Sequence, residues 1–266
     1  MFADERPTFS KIATLGFREL RKEFCYFFSK DRPKKIIFDH LPKCGGISVS
    51  RYLKSNYPHR KTLNIYRTRK NRSHGTDKYP TKNEIESYDL IIGHQDIDLL
   101  NYLPADSILI TLLRDPLSRI ISHYYYAKKM EGHYLNKTIK DNDLSLGDYV
   151  ESGLSKELNN WYVIHFSGAS EDQVRENPEQ YLKLALDNLK NHYDVIGFLD
   201  NIDHFIARTK NLANLKIPFT NQKLNVTGVS KERSQISEQS LEVVTKKNSL
   251  DIRFFKEAEK ISQSRS

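Results

Sequence analysis

Cysteine is scarce in this sequence, and its scarcity excludes two classes of site. Only Cys25 and Cys44 occur among 266 residues, too few for the disulfide framework of a small secreted domain. Cys, His, Asp and Glu do not cluster at the spacings of metal ligands, so no metal is expected. We expect both thiols to be reduced, which favours a cytoplasmic location.

Long hydrophobic runs are also absent. No apolar segment approaches the ~20 residues that span a bilayer, and no N-terminal signal peptide is recognisable. Residues 1–34 are predicted to form a helical extension, in which leucine and phenylalanine recur near helical spacing between basic residues. Two alternatives stay open for this extension: an interfacial helix in peripheral contact with an anionic membrane, or a helix that packs on the protein's own surface.

Acidic residues are missing from one stretch of the chain. None lies between Asp39 and Asp77, and the formal net charge of the whole chain is +8. The basic residues in that stretch are Lys43, Arg51, Lys54, Arg60, Lys61, Arg67, Arg69, Lys70 and Arg72. A surface with charge of one sign attracts polyanions. Nucleic acid, an anionic glycan, an anionic cofactor and a solvated face without a partner all fit this charge.

Apolar runs with the length of strands alternate with helical patterns from residue 35 onward. The predicted strands are residues 35–38, 62–66, 88–93, 107–113 and 194–198, and amphipathic segments follow several of them. This alternation predicts an α/β fold, with a P-loop-like parallel β-sheet flanked by helices. The predicted domain boundaries are 1–34 for the extension and 35–266 for the α/β domain.

The segment Phe38–Arg51, FDHLPKCGGISVSR, has the pattern of a phosphate-binding loop. It joins a strand to a helix, and Gly45 and Gly46 allow the backbone N–H groups to face a ligand. The start of the helix adds unpaired N–H groups and a partial positive charge. Lys43 adds a cation and Ser48 a hydroxyl group. The lysine precedes the glycines, so this is not a Walker A loop.

Three polar residues each follow a predicted strand: Lys43, His94 and Arg114. In a parallel sheet, ligands bind beyond the carboxyl ends of the strands. These residues are therefore predicted to share one edge. His40, which also ends a strand, is a second histidine expected there.

Two motifs carry a resemblance to a known family. The loop Pro-Lys-Cys-Gly-Gly-Ile-Ser resembles the 5′-phosphosulfate loop of sulfotransferases that use 3′-phosphoadenosine 5′-phosphosulfate (PAPS). Residues 114–122, RDPLSRIIS, resemble the 3′-phosphate motif of that family. With Gly93-His94, the pattern looks most like carbohydrate sulfotransferases related to heparan sulfate 2-O-sulfotransferase.

The resemblance implies a role for each matching residue. His94 is the proposed base, with His40 as the alternative, and Lys43 is the second catalytic residue. The implied cofactor-binding residues are Lys43, Cys44, Gly45, Gly46, Ile47, Ser48, Arg114, Ser122, Asn225, Thr227 and Gly228. In many relatives threonine stands where this chain has Cys44 and Ile47, so two hydroxyl donors are absent.

The resemblance implies transfer of a sulfuryl group from PAPS to a hydroxyl group of an anionic or neutral glycan, without a metal. Nucleic acid is not expected as a partner. Two other functions stay open. A nucleotide-dependent phosphotransferase could use the same core, although Gly-Lys-Ser/Thr and an acidic Mg²⁺ site are not evident. A non-catalytic polyanion-binding protein would not require Lys43, His94 and Arg114 at successive strand ends.

Overall fold

The described part of the chain contains a five-stranded, fully parallel sheet. The computed structural model describes residues 32–65, 81–94, 106–220 and 236–265, and the single positions Gly16, Glu19, Tyr26 and Pro104. The strands are β1 (Ile36–Asp39), β2 (Thr62–Ile65), β3 (Leu90–Gly93), β4 (Ile108–Leu113) and β5 (Val195–Phe198). They lie in the order β2-β3-β1-β4-β5. The predicted α/β fold with a parallel sheet is confirmed.

Helices cover both faces of the sheet. In the first half of the described chain they are α1 (Gly46–Asn56), α2 (Lys82–Ser87), α3 (Pro116–Lys129), α4 (Asn136–Asp141) and α5 (Leu146–Glu151). In the second half they are α6 (Trp161–Ser167), α7 (Glu171–Glu176), α8 (Pro178–His192), α9 (Ile202–Ala213), α10 (Glu238–Lys247) and α11 (Ser249–Gln263). Short 3₁₀ turns occupy His59–Lys61, Lys156–Leu158 and Leu199–Asn201.

The strands are apolar on both faces because each face packs against helices. Alternate residues of β1 belong to different cores: Ile37 packs in one with α6, α8 and α11, and Ile36 and Phe38 pack in the other with α1 and α9. A third cluster joins α3, α4, α5 and α10 beyond the sheet. The sheet is therefore the middle layer of three.

The strand register positions the loops that matter for function. Asp39, the last residue of β1, is aligned with Gly93 of β3 on one side and with Thr111 of β4 on the other. The chain leaves all three strands at the same end, so Lys43, His94 and Arg114 follow adjacent strands. The predicted shared edge is confirmed.

Two described residues of the N-terminal extension contact the α/β domain. The Tyr26 hydroxyl donates to Asp89 Oδ2 at 2.9 Å, and its ring lies 5.9 Å from that of Tyr57. Glu19 accepts a hydrogen bond from the His59 backbone N–H at 2.6 Å. At these positions, the extension packs on the protein's own surface. Among the described residues, no helix has both the length and the apolar composition needed to span a membrane.

Candidate active site

The loop between β1 and α1 has a backbone conformation suited to an anion. Lys43 and Gly45 have left-handed φ values of 64° and 80°. Gly45 is the residue before α1, and glycine adopts this conformation without the steric cost of a side chain. Helix α1, with the N–H groups of its first turn, thus starts directly after two sharp bends in the backbone, at Lys43 and Gly45. Such bends and a helix N-terminus are recurrent elements of phosphate sites.

Gly46 is required for a reason that the sequence did not show. A Cβ atom at Gly46 would lie 2.1 Å from Cδ2 of His40. The His40 ring therefore lies directly against the loop backbone. It is only 8% exposed and stacks on Phe38 with ring centroids 5.4 Å apart.

The two predicted motifs meet at the loop. Arg114 Nη1 donates to the backbone carbonyl of Lys43 at 3.2 Å. The Lys43 ammonium lies over the ring of Tyr126, 3.7 Å from its centroid. Burial and the positive charge of Arg114 lower the pKa of Lys43 to about 8. Neither cation forms an ion pair with an acidic side chain within the described part of the chain.

Tyr162 supports this arrangement from the core, and the sequence did not predict this role. Its hydroxyl donates to the Arg114 carbonyl at 2.8 Å and accepts from the Arg114 N–H at 3.2 Å. Cys44 Sγ lies 3.2 Å from the same oxygen. A tyrosine 48 residues downstream of Arg114 carries no local signal of this contact.

The sequence predicts Cys44 as a cofactor-binding residue, but its side chain points into the core. The thiol is fully buried in the core beneath the loop, and burial raises its pKa to about 11. Its side chain therefore serves packing, and only its backbone can face a ligand. Ile47, in the first turn of α1, is 46% exposed.

Helix α3 begins with the second motif. The Asp115 carboxylate caps it by accepting from the Ser118 N–H at 2.8 Å. Arg119 is completely buried beside Trp161 and Tyr162, with its Cζ 5.1 Å from each ring centroid, and donates to the Glu157 carbonyl at 2.7 Å. This second arginine of the motif therefore has a structural role. Ser122 lies two turns into α3 and is 7% exposed.

His94 and His40 lie together but in different environments. His94 Nδ1 donates to the His40 carbonyl at 2.5 Å, which places the lone pair of a neutral ring on Nε2. His94 is half-buried and lies at the sheet edge that it shares with Lys43 and Arg114. Burial and the adjacent His94 lower the pKa of His40 to about 3. The ring of the alternative base thus lies against Gly46 and is more deeply buried than that of His94.

Gly93 packs directly against the backbone of β2. A Cβ atom there would lie 1.7 Å from the backbone oxygen of Ile65 in β2. The absence of a side chain is required for the close approach of the neighbouring strand.

A group of polar and aromatic side chains lies beside Lys43, and the sequence did not predict it. His123 Nε2 lies 3.2 Å from Glu157 Oε2, and His123 Nδ1 lies 2.9 Å from the Tyr149 hydroxyl. The ring of His133 contacts those of His123 and Tyr126 at 5.8 and 5.6 Å. Burial favours the protonated form of Glu157, but hydrogen bonding and charge from His123 outweigh it and lower its pKa.

The charges of the loop fit a ligand with phosphate groups. Two cations repel each other next to a helix N-terminus, and Arg114 contributes to the lowered pKa of Lys43. A bound anion would relieve this repulsion. Within the described residues, no group of three or more His, Cys, Asp or Glu side chains is arranged as a metal site. Asn225, Thr227 and Gly228, the remaining predicted cofactor ligands, lie outside the described residues.

Comparison with known proteins agrees with these motifs. A family model described as "Sulfotransferase family" matches residues 26–256, which include the loop, Gly93-His94 and the Arg114–Ser122 motif. The match is to the family as a whole and does not single out enzymes related to heparan sulfate 2-O-sulfotransferase. No curated protein sequence gives a significant match to this chain.

Proposed function

Because this chain belongs to the sulfotransferase family, which transfers sulfuryl groups, we propose that its donor is PAPS and its acceptor a hydroxyl group of a carbohydrate. The hydrogen bond between Arg114 and the Lys43 carbonyl carries the proposal. It joins the two motifs expected to bind opposite ends of one nucleotide, although they lie 71 residues apart in the chain.

Each residue of the site has a role in this reaction. PAPS supplies the sulfuryl group: the acceptor oxygen becomes bonded to sulfur as the bond between sulfur and the 5′-phosphate oxygen breaks, and 3′-phosphoadenosine 5′-phosphate leaves. Lys43 and the N–H groups that begin α1 stabilise negative charge on the phosphosulfate. Arg114, with Ser122, binds the 3′-phosphate and thereby positions the donor.

His94 is the proposed base. An acceptor hydroxyl must lose its proton as it attacks sulfur, and a neutral imidazole can accept that proton. The hydrogen bond from His94 Nδ1 to the His40 carbonyl leaves Nε2 as the accepting nitrogen.

A glycan acceptor is proposed from the resemblance of the loop and of Gly93-His94 to carbohydrate sulfotransferases. The exposed Tyr134 supports it, because it stacks on His133 at 4.8 Å and His133 contacts Tyr126 beside Lys43. Aromatic rings next to polar groups suit the apolar faces and hydroxyl groups of a sugar.

Nucleotide binding tests the donor. 3′-Phosphoadenosine 5′-phosphate (PAP) should stabilise the protein far more than ADP or ATP, by about 2.7 kcal/mol at a hundredfold excess over its dissociation constant. Thermal unfolding with each nucleotide measures this. Equal stabilisation by PAP and ADP would contradict the proposal, preferential stabilisation by ATP would favour a phosphotransferase, and no response would favour a polyanion-binding protein.

An Arg114→Ala variant tests whether Arg114 recognises the 3′-phosphate of the donor. We expect it to weaken PAP binding by about 1.5–3 kcal/mol, the range for a hydrogen bond to a charged group. Binding of adenosine 5′-phosphosulfate, which lacks the 3′-phosphate, should change little. Equal losses for both ligands, measured by calorimetry, would show that Arg114 does not recognise the 3′-phosphate.

A further inference from the structure

The contact between Lys43 and Tyr126 is the closest cation–ring contact in the described part of the chain. Lys43 Nζ lies 3.7 Å from the ring centroid, whereas the other described pairs are 5.1–6.0 Å apart. The face of an aromatic ring is electron-rich and attracts a cation at this distance. Lys43 is thus held at its charged end as well as at its backbone, where Arg114 contacts the carbonyl.

Apart from Tyr126, the net effect of the surroundings on Lys43 acts against a protonated amine. Burial and Arg114 lower its pKa, while Cys44 and Glu157 act in the opposite direction. Lys43 and Glu157 do not form an ion pair in the described part of the chain. His133, which also faces Lys43, has its own pKa lowered by burial, by His123 and, more weakly, by Lys43. The ring of Tyr126 is therefore the group in direct contact with Nζ that favours the charged form.

Tyr126 is held in place by its helix and by a neighbouring aromatic ring. It lies on α3, the helix that begins at Pro116, two residues after Arg114, so both contacts to Lys43 come from one continuous segment of chain. Its ring meets the His133 ring edge-to-face at an interplanar angle of 83°. A ring held in this way restricts the rotamers of the lysine.

We propose that Tyr126 is a positioning residue for the sulfuryl transfer, which holds the Lys43 ammonium protonated and directed at the donor site. The ring covers one side of the ammonium, and N–H groups on the other sides remain able to bind the phosphosulfate. The inference rests on the proposed function for its catalytic consequence, but the state of Lys43 can be measured without donor or acceptor.

Carbon-13 NMR of reductively methylated protein measures the environment and the protonation of Lys43. The Lys43→Met variant assigns the Lys43 signal. In the wild-type protein, the Lys43 N-methyl signal should be shifted upfield by the ring current and should titrate near pH 8. Tyr126→Phe retains a ring and should preserve both properties. Tyr126→Leu should lose the upfield shift, and its titration midpoint should move down by about half a pH unit.

PAP binding measured across pH adds the functional readout. Affinity should fall as pH rises through the Lys43 midpoint, and Tyr126→Leu should weaken it about three- to tenfold at neutral pH and shift the fall to lower pH. Tyr126→Phe should stay within about twofold of wild type. Tyr125→Leu, at the adjacent position of α3, is the matched control.

The outcomes separate the two proposals. An unshifted Lys43 signal in the wild-type protein, or the same midpoint in Tyr126→Leu as in wild type, would overturn the role of Tyr126. If Lys43 behaves as expected but PAP binds no better than ADP, the role of Tyr126 stands and the PAPS-dependent function fails.

Discussion

At the scale of single residues, the Tyr162 hydroxyl group connects two parts of the site, Arg114 and Cys44. It contacts both backbone groups of Arg114 and the thiol of Cys44, and its ring packs against Arg119 and Phe254. Its buried position raises its pKa well above the usual value, so the hydroxyl stays protonated and able to donate. One neutral side chain thus fixes the ends of β1 and β4 relative to each other.

Tyr162→Phe should therefore destabilise the protein. The substitution leaves the Arg114 carbonyl and N–H without their partner, and an unsatisfied buried group costs about 1–3 kcal/mol of unfolding free energy. Denaturant unfolding measures the loss. Tyr181→Phe removes a hydroxyl from a half-buried tyrosine of α8 and serves as the control. Equal stability of the two variants would show that the Tyr162 hydroxyl contributes little.

His94→Ala tests the proposed base. We expect turnover to fall by about 10²–10⁴-fold, because no group then accepts the acceptor's proton, whereas PAP affinity should stay nearly unchanged. Steady-state rates at saturating acceptor, with calorimetry for PAP, make the comparison. His40→Ala is the companion variant: the base assignment is wrong if this variant, shown to be folded, loses turnover while His94→Ala keeps it.

At the scale of elements, the close packing of β3 against β2 explains Gly93. β2 is an edge strand of four residues, and its Ile65 backbone oxygen accepts a hydrogen bond from the His94 N–H at 2.9 Å. The same oxygen occupies the space that a side chain at Gly93 would need. The strand end that carries His94 is thus set by backbone contacts to β2.

Gly93→Ala should displace β2 and lower the unfolding free energy by about 1–3 kcal/mol, the usual cost of overpacking. Gly132→Ala is the matched control, because a Cβ atom there meets nothing within 4 Å. Chemical denaturation compares the two variants with wild type. If Gly93→Ala is as stable as Gly132→Ala, β2 moves aside without a measurable loss of unfolding free energy, and the expectation is wrong.

At the scale of the whole molecule, stability should depend on pH through His40. Burial lowers the pKa of His40 in the folded protein to about 3, whereas an unfolded histidine titrates near 6.5. Between these values the unfolded chain binds the extra proton, so stability rises with pH in this window and is lost as pH falls from about 6.5 towards 3.

The His40 contribution has a slope of at most about 1.4 kcal/mol per pH unit. Urea unfolding at several pH values measures the total slope, to which other groups also contribute. His40→Asn, which carries no titratable group, should flatten the slope between pH 4 and 6. A slope unchanged by this substitution would mean that His40 becomes protonated without unfolding.

The sequence by itself determined the features that depend on short stretches of chain. The approximate positions of the strands, the turn at the loop glycines and the order of strand and helix follow from local patterns of apolar and glycine residues. The shared edge of Lys43, His94 and Arg114 followed as well, because successive parallel strands end on one side. The two motifs were recognisable for the same reason, since each lies within a dozen residues.

The tertiary structure decided what each of these side chains contacts. Cys44 points into the core, His40 lies beneath Gly46, and Arg119 is buried, although each stands in a motif that suggested a ligand. Tyr162 and Tyr126 reach the loop from distant positions. Such contacts depend on how helices pack on the sheet, and packing brings together residues whose spacing in the sequence carries no signal.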